Sequence, residues 1–313
     1  MGRVAGGATV NTVLVPLDGT SHATAALPVA RALAEIASAS LRVLHVGEPM
    51  LATHDLPNAL RLEPEDIHAL VLEQVTGDAA ERIVRLARDC QSVLIVMCTH
   101  TRQKKPRGAI GSVAARVLQD ASCPVVLVRP QRGTHPWALR QIVLPHDGTP
   151  TSAAALGPAV SLAQLSGAEI IVLHVPTADL PDEPDSYTMP QYVDQPQHEW
   201  PMWAREFLER TLNLSEQSPE IRTRLFLRRG KPGDEVVRLA TEQEADLIVL
   251  AWHGSLEVGR AGIVKQVLKE APCPIFTLRI EAPAEEAGEF EATDRNHFRG
   301  GSGDPGIDRD RAG

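Results

Sequence analysis

The feature that most constrains the fold of this chain is an internal duplication. The string TVLVPLDGT at 12–20 recurs as QIVLPHDGT at 141–149, and LRVLHV at 41–46 recurs within EIIVLHV at 169–175. A repeat of this kind means that one structural unit was duplicated, so both halves are expected to share one fold. Because 313 residues are an ordinary length for two domains, the sequence predicts two copies of a single small domain.

The spacing of matched residues locates the difference in length between the copies. Asp18 matches Asp147, and farther along the chain Gly77 matches Gly230 at a larger offset. The second copy therefore carries an insertion between its second and third strands, at about 178–203. Its aromatic residues leave three roles open, which are a lid, a partner surface or a packed surface loop. These aromatic residues are Tyr187, Tyr192, Trp200 and Trp203.

Short apolar runs alternate with segments of helical periodicity in each copy. This pattern is typical of βαβ units and of a parallel sheet that is covered on both faces. We predict an α/β fold of two doubly wound five-stranded parallel-sheet domains, each with the strand order 3-2-1-4-5. The predicted strands lie near 12–17, 41–47, 69–76, 92–98 and 124–129, and near 142–146, 169–175, 222–228, 246–251 and 274–279. The predicted helices of the first copy lie near 21–38, 58–68, 78–89 and 111–121.

The same patterns predict the domain boundaries. We place the first domain at 11–130 and the second at 141–280, joined by a linker at 131–140. Residues 1–10 are expected to form a flexible arm. The tail at 281–313 lacks apolar periodicity and is expected to be disordered.

Composition excludes several classes of function. A formal net charge of −9 argues against a broad nucleic-acid surface, because affinity for a polyanion comes mainly from clustered Lys and Arg. No window approaches the roughly 18 uncharged apolar residues of a membrane span, and the N-terminus lacks a signal-type apolar core, so we expect a cytoplasmic protein without a membrane partner. The 4 cysteines lie far apart, which favours reduced thiols over a zinc site or a disulfide framework.

Candidate ligand residues lie where strands of a parallel sheet end, since ligands of such sheets bind at the strand carboxyl ends. After the first strand, Asp18 is placed to accept hydrogen bonds from a ligand, or only to form the turn. After the fourth strand, Gly111 and Ser112 lead into a helix, where free backbone N–H groups favour phosphate. An ordinary helix start explains the same pair of residues. His45 and His174 end buried-type strands, and a structural role is the commoner one for such histidines.

Together these residues carry a resemblance to a known family. The relevant features are Pro16 and Asp18 after the first strand, a His-Val pair that ends the second strand, a Gly-Ser pair, and a Cys-Pro-Val string before the last strand. In these features the chain resembles the universal stress protein family. The similarity covers nearly all of 12–130 and 141–279. It implies a Rossmann-like domain of the kind that binds adenine nucleotides.

The resemblance also implies the site residues. Family members that bind ATP carry Gly-x2-Gly-x9-Gly-Ser/Thr after the fourth strand, whereas the first copy has Cys98 and Thr101 at the two leading positions. The implied nucleotide-binding residues of the first copy are Pro16, Asp18, Val46, Met97, Gly111, Ser112 and Val113. Those of the degenerate second copy are Asp147, Val175, Gly254 and Gly262. Because the second copy lacks the hydroxyl, we expect it to bind nucleotide poorly or not at all.

Three functions follow as alternatives. The first is a stress-response protein whose first copy binds ATP or another adenine nucleotide, with Mg²⁺ accompanying it. The second is a nucleotide-independent interaction scaffold, and the third is a slow ATPase. No catalytic or metal-binding residue is assigned, because neither a P-loop nor paired carboxylates nor a Ser/His/Asp order is present. The resemblance further implies an internal pseudo-dimer through the last strands, near 124–129 and 274–279; the sequence identifies no protein partner.

Overall fold

The structure is a computed structural model, which describes residues 11–67, 70–99, 110–130, 136–175, 221–256 and 262–280. The predicted arm at 1–10, the insertion at 178–203 and the tail at 281–313 lie outside these residues. The described residues up to Ile280 form one compact unit. Among the helices of the described ranges, none has the length and apolar character needed to cross a bilayer.

Ten strands form one continuous sheet in the order β3-β2-β1-β4-β5-β10-β9-β6-β7-β8. Within each half the strands are parallel, and both halves have the strand order 3-2-1-4-5, which confirms the predicted fold class. The first five strands are β1 (Thr12–Pro16), β2 (Ser40–Val46), β3 (Leu70–Val75), β4 (Leu94–Cys98) and β5 (Val125–Val128). The others are β6 (Gln141–Pro145), β7 (Glu169–His174), β8 (Thr223–Leu227), β9 (Leu247–Trp252) and β10 (Ile275–Arg279).

The described helices follow the strands as βαβ connections require. The first half contains α1 (Ala26–Ile36), α2 (Leu56–Ala59), α3 (Pro64–Ile67), α4 (Ala79–Asp89) and α5 (Ser112–Asp120). The second half contains α6 (Pro150–Ala153), α7 (Leu156–Ser166), α8 (Pro232–Glu242) and α9 (Gly262–Glu270). A side-chain cap defines the start of α4, where Asp78 accepts a hydrogen bond of 2.9 Å from the Glu81 N–H.

The predicted single helix over 58–68 is wrong. The segment forms the two short helices α2 and α3 instead. Arg61 between them has φ 57°, in the left-handed region that ends a helix. Pro64, which has no N–H to donate, starts the next turn rather than continuing the last one.

Two apolar layers cover the sheet, one on each face, and each contains residues of both halves. Helices α1 and α7 pack in one layer, which we call the α1 layer. Helices α4, α5, α8 and α9 pack in the other, which we call the α5 layer. Successive strand residues alternate between the layers, as the pleat requires; Val13 and Val15 lie in the α1 layer and Leu14 in the α5 layer. Because both layers are shared, the boundary at 131–140 stays a prediction.

The two halves join edge to edge through their last strands. Strands β5 and β10 pair antiparallel, with the equivalent residues Val126 and Phe276 directly opposite each other. The hydroxyl of Thr277 donates a buried hydrogen bond of 2.8 Å to the Val125 carbonyl. This pairing covers one edge of each half-sheet, an edge that would otherwise present unpaired backbone groups.

A pair of equivalent arginines bridges the same junction. Arg129 donates a 3.0 Å hydrogen bond to the Leu268 carbonyl in α9, and Arg279 donates one of 2.7 Å to the Gln119 carbonyl in α5. Each arginine thus holds the C-terminal turn of the other half's last helix, the end at which a helix dipole favours a positive charge.

Candidate functional site

The turn after β1 fixes the position of the Asp18 carboxylate. Its Oδ1 accepts hydrogen bonds from the Thr20 backbone N–H (3.0 Å) and from the Thr20 hydroxyl (2.7 Å), while the side chain stays exposed. Such an aspartate turn needs a positive φ at its centre, and Gly19 has φ +80°. The sequence therefore builds a rigid turn that presents a carboxylate at the end of the strand.

The second repeat builds the same turn. Asp147 Oδ1 accepts from the Thr149 N–H (3.0 Å) and hydroxyl (2.7 Å), again around a glycine of positive φ, Gly148 at +87°. Partial burial raises the pKa of Asp147, but hydrogen bonds from Ser152 and Thr149 outweigh it, and the pKa is lowered overall. The carboxylate is thus ionised at neutral pH.

The repeated histidines that end β2 and β7 support these turns. His45 Nδ1 lies 2.8 Å from the Leu17 carbonyl, and His174 Nδ1 lies 2.9 Å from the His146 carbonyl. Because a carbonyl oxygen only accepts, the proton is on Nδ1 in both rings. Both residues therefore hold the preceding turn in place, as the structural interpretation of these histidines predicts.

The residue before Asp147 is a buried histidine without a counterpart in the first repeat. His146 Nδ1 accepts a 3.0 Å hydrogen bond from the Gly148 N–H. Burial lowers the pKa of His146, with His174 lowering it further and Asp147 opposing. The imidazole is therefore neutral at pH 7 and forms part of the turn.

The second candidate region of the first repeat is the passage from β4 into α5. Met97 is buried in the α5 layer, and the Gly111 N–H donates a 2.6 Å hydrogen bond to the Thr99 carbonyl. This bond ties the start of α5 to the end of β4. Ser112 and Val113 occupy the first turn of the helix and are exposed. Residues 100–109, including Thr101 of the glycine pattern, lie outside the described residues.

Cys98 replaces the first glycine of the phosphate-binding pattern, and its side chain points into the α1 layer. Its Sγ donates a 2.9 Å hydrogen bond to the His22 carbonyl in the connection between β1 and α1. Burial raises the pKa of the Cys98 thiol to about 12, and the nearby Asp18 charge adds to the rise. The thiol therefore fills space on the face opposite α5, and it is not positioned to block the α5 N-terminus.

The equivalent region of the second repeat is closely packed. Gly254 has φ +80°, and a Cβ at that position would lie 2.7 Å from Arg279 Cδ. The neighbouring His253 Nε2 lies 2.9 Å from the Thr151 hydroxyl. Trp252, at the end of β9, is buried. Gly262 begins α9 and is exposed, while Val175, the counterpart of the half-buried Val46, is buried at 6% exposure.

An open depression of about 840 Å³ lies beside the Asp18 turn. It is lined by Gly19 together with α2, α3 and the residues between them, and its lining contains neither Val46 nor Ser112. Arg61 Nε donates a 3.0 Å hydrogen bond to the Gly19 carbonyl, so α2 and the following residues brace the turn from outside. Sequence reasoning missed Arg61, because it placed that residue inside a continuous helix.

The predicted residues therefore gather at the carboxyl edge of the sheet. In the first repeat β1 and β4 are direct neighbours, which brings the turns that carry Asp18 and Ser112 to adjacent strands. Among the residues that the structure describes, no three His, Cys, Asp or Glu side chains are grouped to hold a metal ion.

Comparison with known proteins identifies relatives over most of the chain. The model of the universal stress protein family matches residues 51–129 and 138–279. A universal stress protein of Mycobacterium tuberculosis is 23% identical over 304 residues, covering 85% of this chain and 96% of its own length.

Solved structures show the same fold. The crystal structure of a universal stress protein from Archaeoglobus fulgidus superposes with a TM-score of 0.58 at 17% identity, covering 86% of this chain and 98% of that one. An Arabidopsis thaliana member of the family with AMP bound matches 47% of this chain and 99% of its own at 16% identity, and its TM-score of 0.32 is too low to carry an argument about the site.

Proposed function

The chain belongs to the universal stress protein family, and from that premise we propose that this stress-response protein binds an adenine nucleotide in its first repeat. One observation carries the proposal. The exposed Asp18 turn and the exposed N-terminus of α5 at Ser112 follow β1 and β4, which are adjacent strands of one parallel sheet. A crevice at the carboxyl ends of adjacent strands is where ligands of open parallel sheets bind.

Asp18 would receive the nucleoside. Its Oδ1 is already oriented by Thr20, so the carboxylate is preorganised to accept a hydrogen bond from a ribose hydroxyl or from the base. Val46 at the end of β2 and Met97 in β4 supply apolar contacts on the α5 layer. Pro16 precedes the turn and restricts its backbone.

The N-terminus of α5 would receive the phosphate. Its first N–H groups have no partner within the helix, and the helix dipole favours an anion at this end. Ser112 adds a hydroxyl donor, and the hydrogen bond from Gly111 N–H to the Thr99 carbonyl fixes the helix start relative to β4. If Mg²⁺ accompanies the nucleotide, it would be held chiefly by the phosphates and water.

A nucleotide-independent interaction scaffold remains the alternative, because Cys98 and Thr101 replace two glycines of the phosphate-binding pattern. ATP hydrolysis ranks last, since no group of three His, Cys, Asp or Glu side chains among the described residues could hold a metal ion. A cytoplasmic location is part of the proposal and rests on the sequence.

Isothermal titration of the full chain with ATP, ADP and AMP tests the proposal, with one ligand bound per chain as the expected result. Asp18→Asn keeps the acceptor for Thr20 but removes the charge, so we expect about a 10-fold loss of affinity or more. Ser112→Ala is expected to weaken binding about 5-fold by removing one neutral hydrogen bond.

Asp147→Asn is the matched control, because it makes the same change in the equivalent turn of the second repeat. It is expected to leave the affinity unchanged. No binding by any of the three nucleotides favours the scaffold, and equal losses for Asp18→Asn and Asp147→Asn would contradict the assignment of the site to the first repeat.

A further inference from the structure

The second repeat carries a bulky side chain where the first has a small one. Trp252 ends β9 and occupies the position that Thr99 has directly after β4, as the following histidines, His253 and His100, indicate. Both residues are buried to the same degree, with 3% exposure. The second repeat therefore accommodates a whole indole ring inside a region that holds a threonine side chain in the first.

The indole lies on the face of the sheet where the nucleotide site of the first repeat is proposed. Trp252 belongs to the α5 layer, together with Val264 of α9, and α9 is the counterpart of the helix proposed to hold phosphate. Val175 lies in the same layer and is buried, whereas its counterpart Val46 is half-buried. The carboxyl end of the second repeat is thus more completely filled.

The indole N–H indicates that this side chain is present for its shape. Nε1 of Trp252 is buried and has no hydrogen-bond partner among the residues that the structure describes. Buried tryptophans usually satisfy this donor, and leaving it unpaired has an energetic cost. Packing of the flat apolar ring must compensate for that cost, so the ring fills a space that would otherwise be empty.

We propose that Trp252 is the residue that closes the ligand crevice of the second repeat, with its bicyclic ring filling space beside α9, the counterpart of the helix proposed to hold phosphate. The inference rests on the proposed function, because it takes the crevice of the second repeat to be equivalent to the proposed nucleotide crevice of the first repeat. It makes Trp252 a specificity-determining residue, because a chain with two similar turns, at Asp18 and Asp147, then offers one site instead of two.

The test uses Trp252→Ala in the full chain, with indole and adenine as probes. Removing the ring leaves a flat apolar cavity, and such cavities bind small apolar ligands of matching shape. At probe concentrations of about ten times the dissociation constant, we expect the melting temperature of Trp252→Ala to rise by about 2 °C or more. The unsubstituted chain is expected to show no such rise.

Trp137→Ala is the matched control. Trp137 is half-buried and packs in the α1 layer, away from the crevice, so its removal takes an indole ring from a different part of the structure. Stabilisation of both variants by the probes, or of neither, would overturn the inference. If the unsubstituted chain binds no nucleotide but Trp252→Ala binds indole, the proposed function fails and the closure of the crevice stands.

A second measurement covers the case in which Trp252→Ala does not fold. A chain with the substitutions Trp137→Phe, Trp200→Phe and Trp203→Phe keeps Trp252 as its sole tryptophan. If the crevice is closed, AMP leaves the Trp252 emission intensity unchanged up to millimolar concentration. Saturable quenching would mean that AMP stacks on the indole in an open crevice, which contradicts the proposal.

Discussion

Gly19→Ala should lower the free energy of unfolding of this protein more than Gly148→Ala does, although the two glycines are equivalent in the duplicated sequence. Both have positive φ, +80° and +87°, so each substitution forces a side chain into a backbone conformation that costs about 1–2 kcal/mol. Their surroundings differ. A Cβ at Gly19 would lie 2.9 Å from the Ala59 carbonyl oxygen in α2, whereas nothing lies within 4 Å of one at Gly148.

The contact with Ala59 adds a second cost at Gly19. The atom that the new Cβ meets is backbone, which cannot rotate away as a flexible side chain can, so α2 or the turn has to shift. Overpacking of this kind typically costs about 1–3 kcal/mol. We therefore expect Gly19→Ala to lower the free energy of unfolding by about 2–5 kcal/mol, and Gly148→Ala by about 1–2 kcal/mol.

Urea unfolding followed by circular dichroism measures both values, provided that the transition is two-state. Titration with AMP adds a functional readout. Because Gly19 adjoins Asp18 and accepts the Arg61 hydrogen bond, Gly19→Ala should also weaken nucleotide binding, and Gly148→Ala should not. Equal destabilisation by the two substitutions would refute the argument that α2 restricts the first turn.

Two further predictions concern the buried thiol of Cys98 and the arginine that bridges the junction between the repeats. Burial is the main reason that the pKa of the Cys98 thiol is raised from 9.0 to about 12 in the folded protein. At a pH between these two values, unfolding releases the proton of the thiol. The free energy of unfolding should therefore decrease as pH rises from about 9 to about 12. Cys98→Ala should make that part of the pH profile less steep in urea unfolding, with the rest of the slope kept by Cys273 and Cys123, whose pKa values burial raises to about 12 and about 11; an unchanged slope would contradict the assignment. Arg279→Ala removes the hydrogen bond to the Gln119 carbonyl across the junction and should cost about 1 kcal/mol in the same assay, whereas Lys269→Ala on the exposed surface should cost less than about 0.5 kcal/mol.

The duplication predicted the architecture because strand patterns and strand order are encoded locally. Alternating apolar runs specify buried parallel strands, and short right-handed connections leave few orders for five of them. The turns at Asp18 and Asp147 were likewise predictable, since an aspartate followed by glycine determines its own hydrogen bonds.

Side-chain direction at the strand ends was not predictable in the same way. The glycine pattern identifies Cys98 as a departure, but whether its thiol faces α5 or α1 depends on the pleat and on the position of the His22 carbonyl. Trp252 gave no signal in the sequence, because an aromatic residue at the end of an apolar strand is most simply explained as core. Its significance comes from the comparison with Thr99 in three dimensions.

The junction between the repeats gives the second repeat a role even where it binds nothing. Strand β10 covers the edge of β5, and Arg279 holds the C-terminal turn of α5, the helix whose N-terminus is proposed to bind phosphate. Substitutions that close the crevice of the second repeat, such as a tryptophan at 252, leave these contacts in place. Substitutions that disturb β10 or Arg279 would alter the helix that serves the first repeat. A duplicated domain can therefore lose its own ligand while its last strand stays constrained by the ligand site of its neighbour.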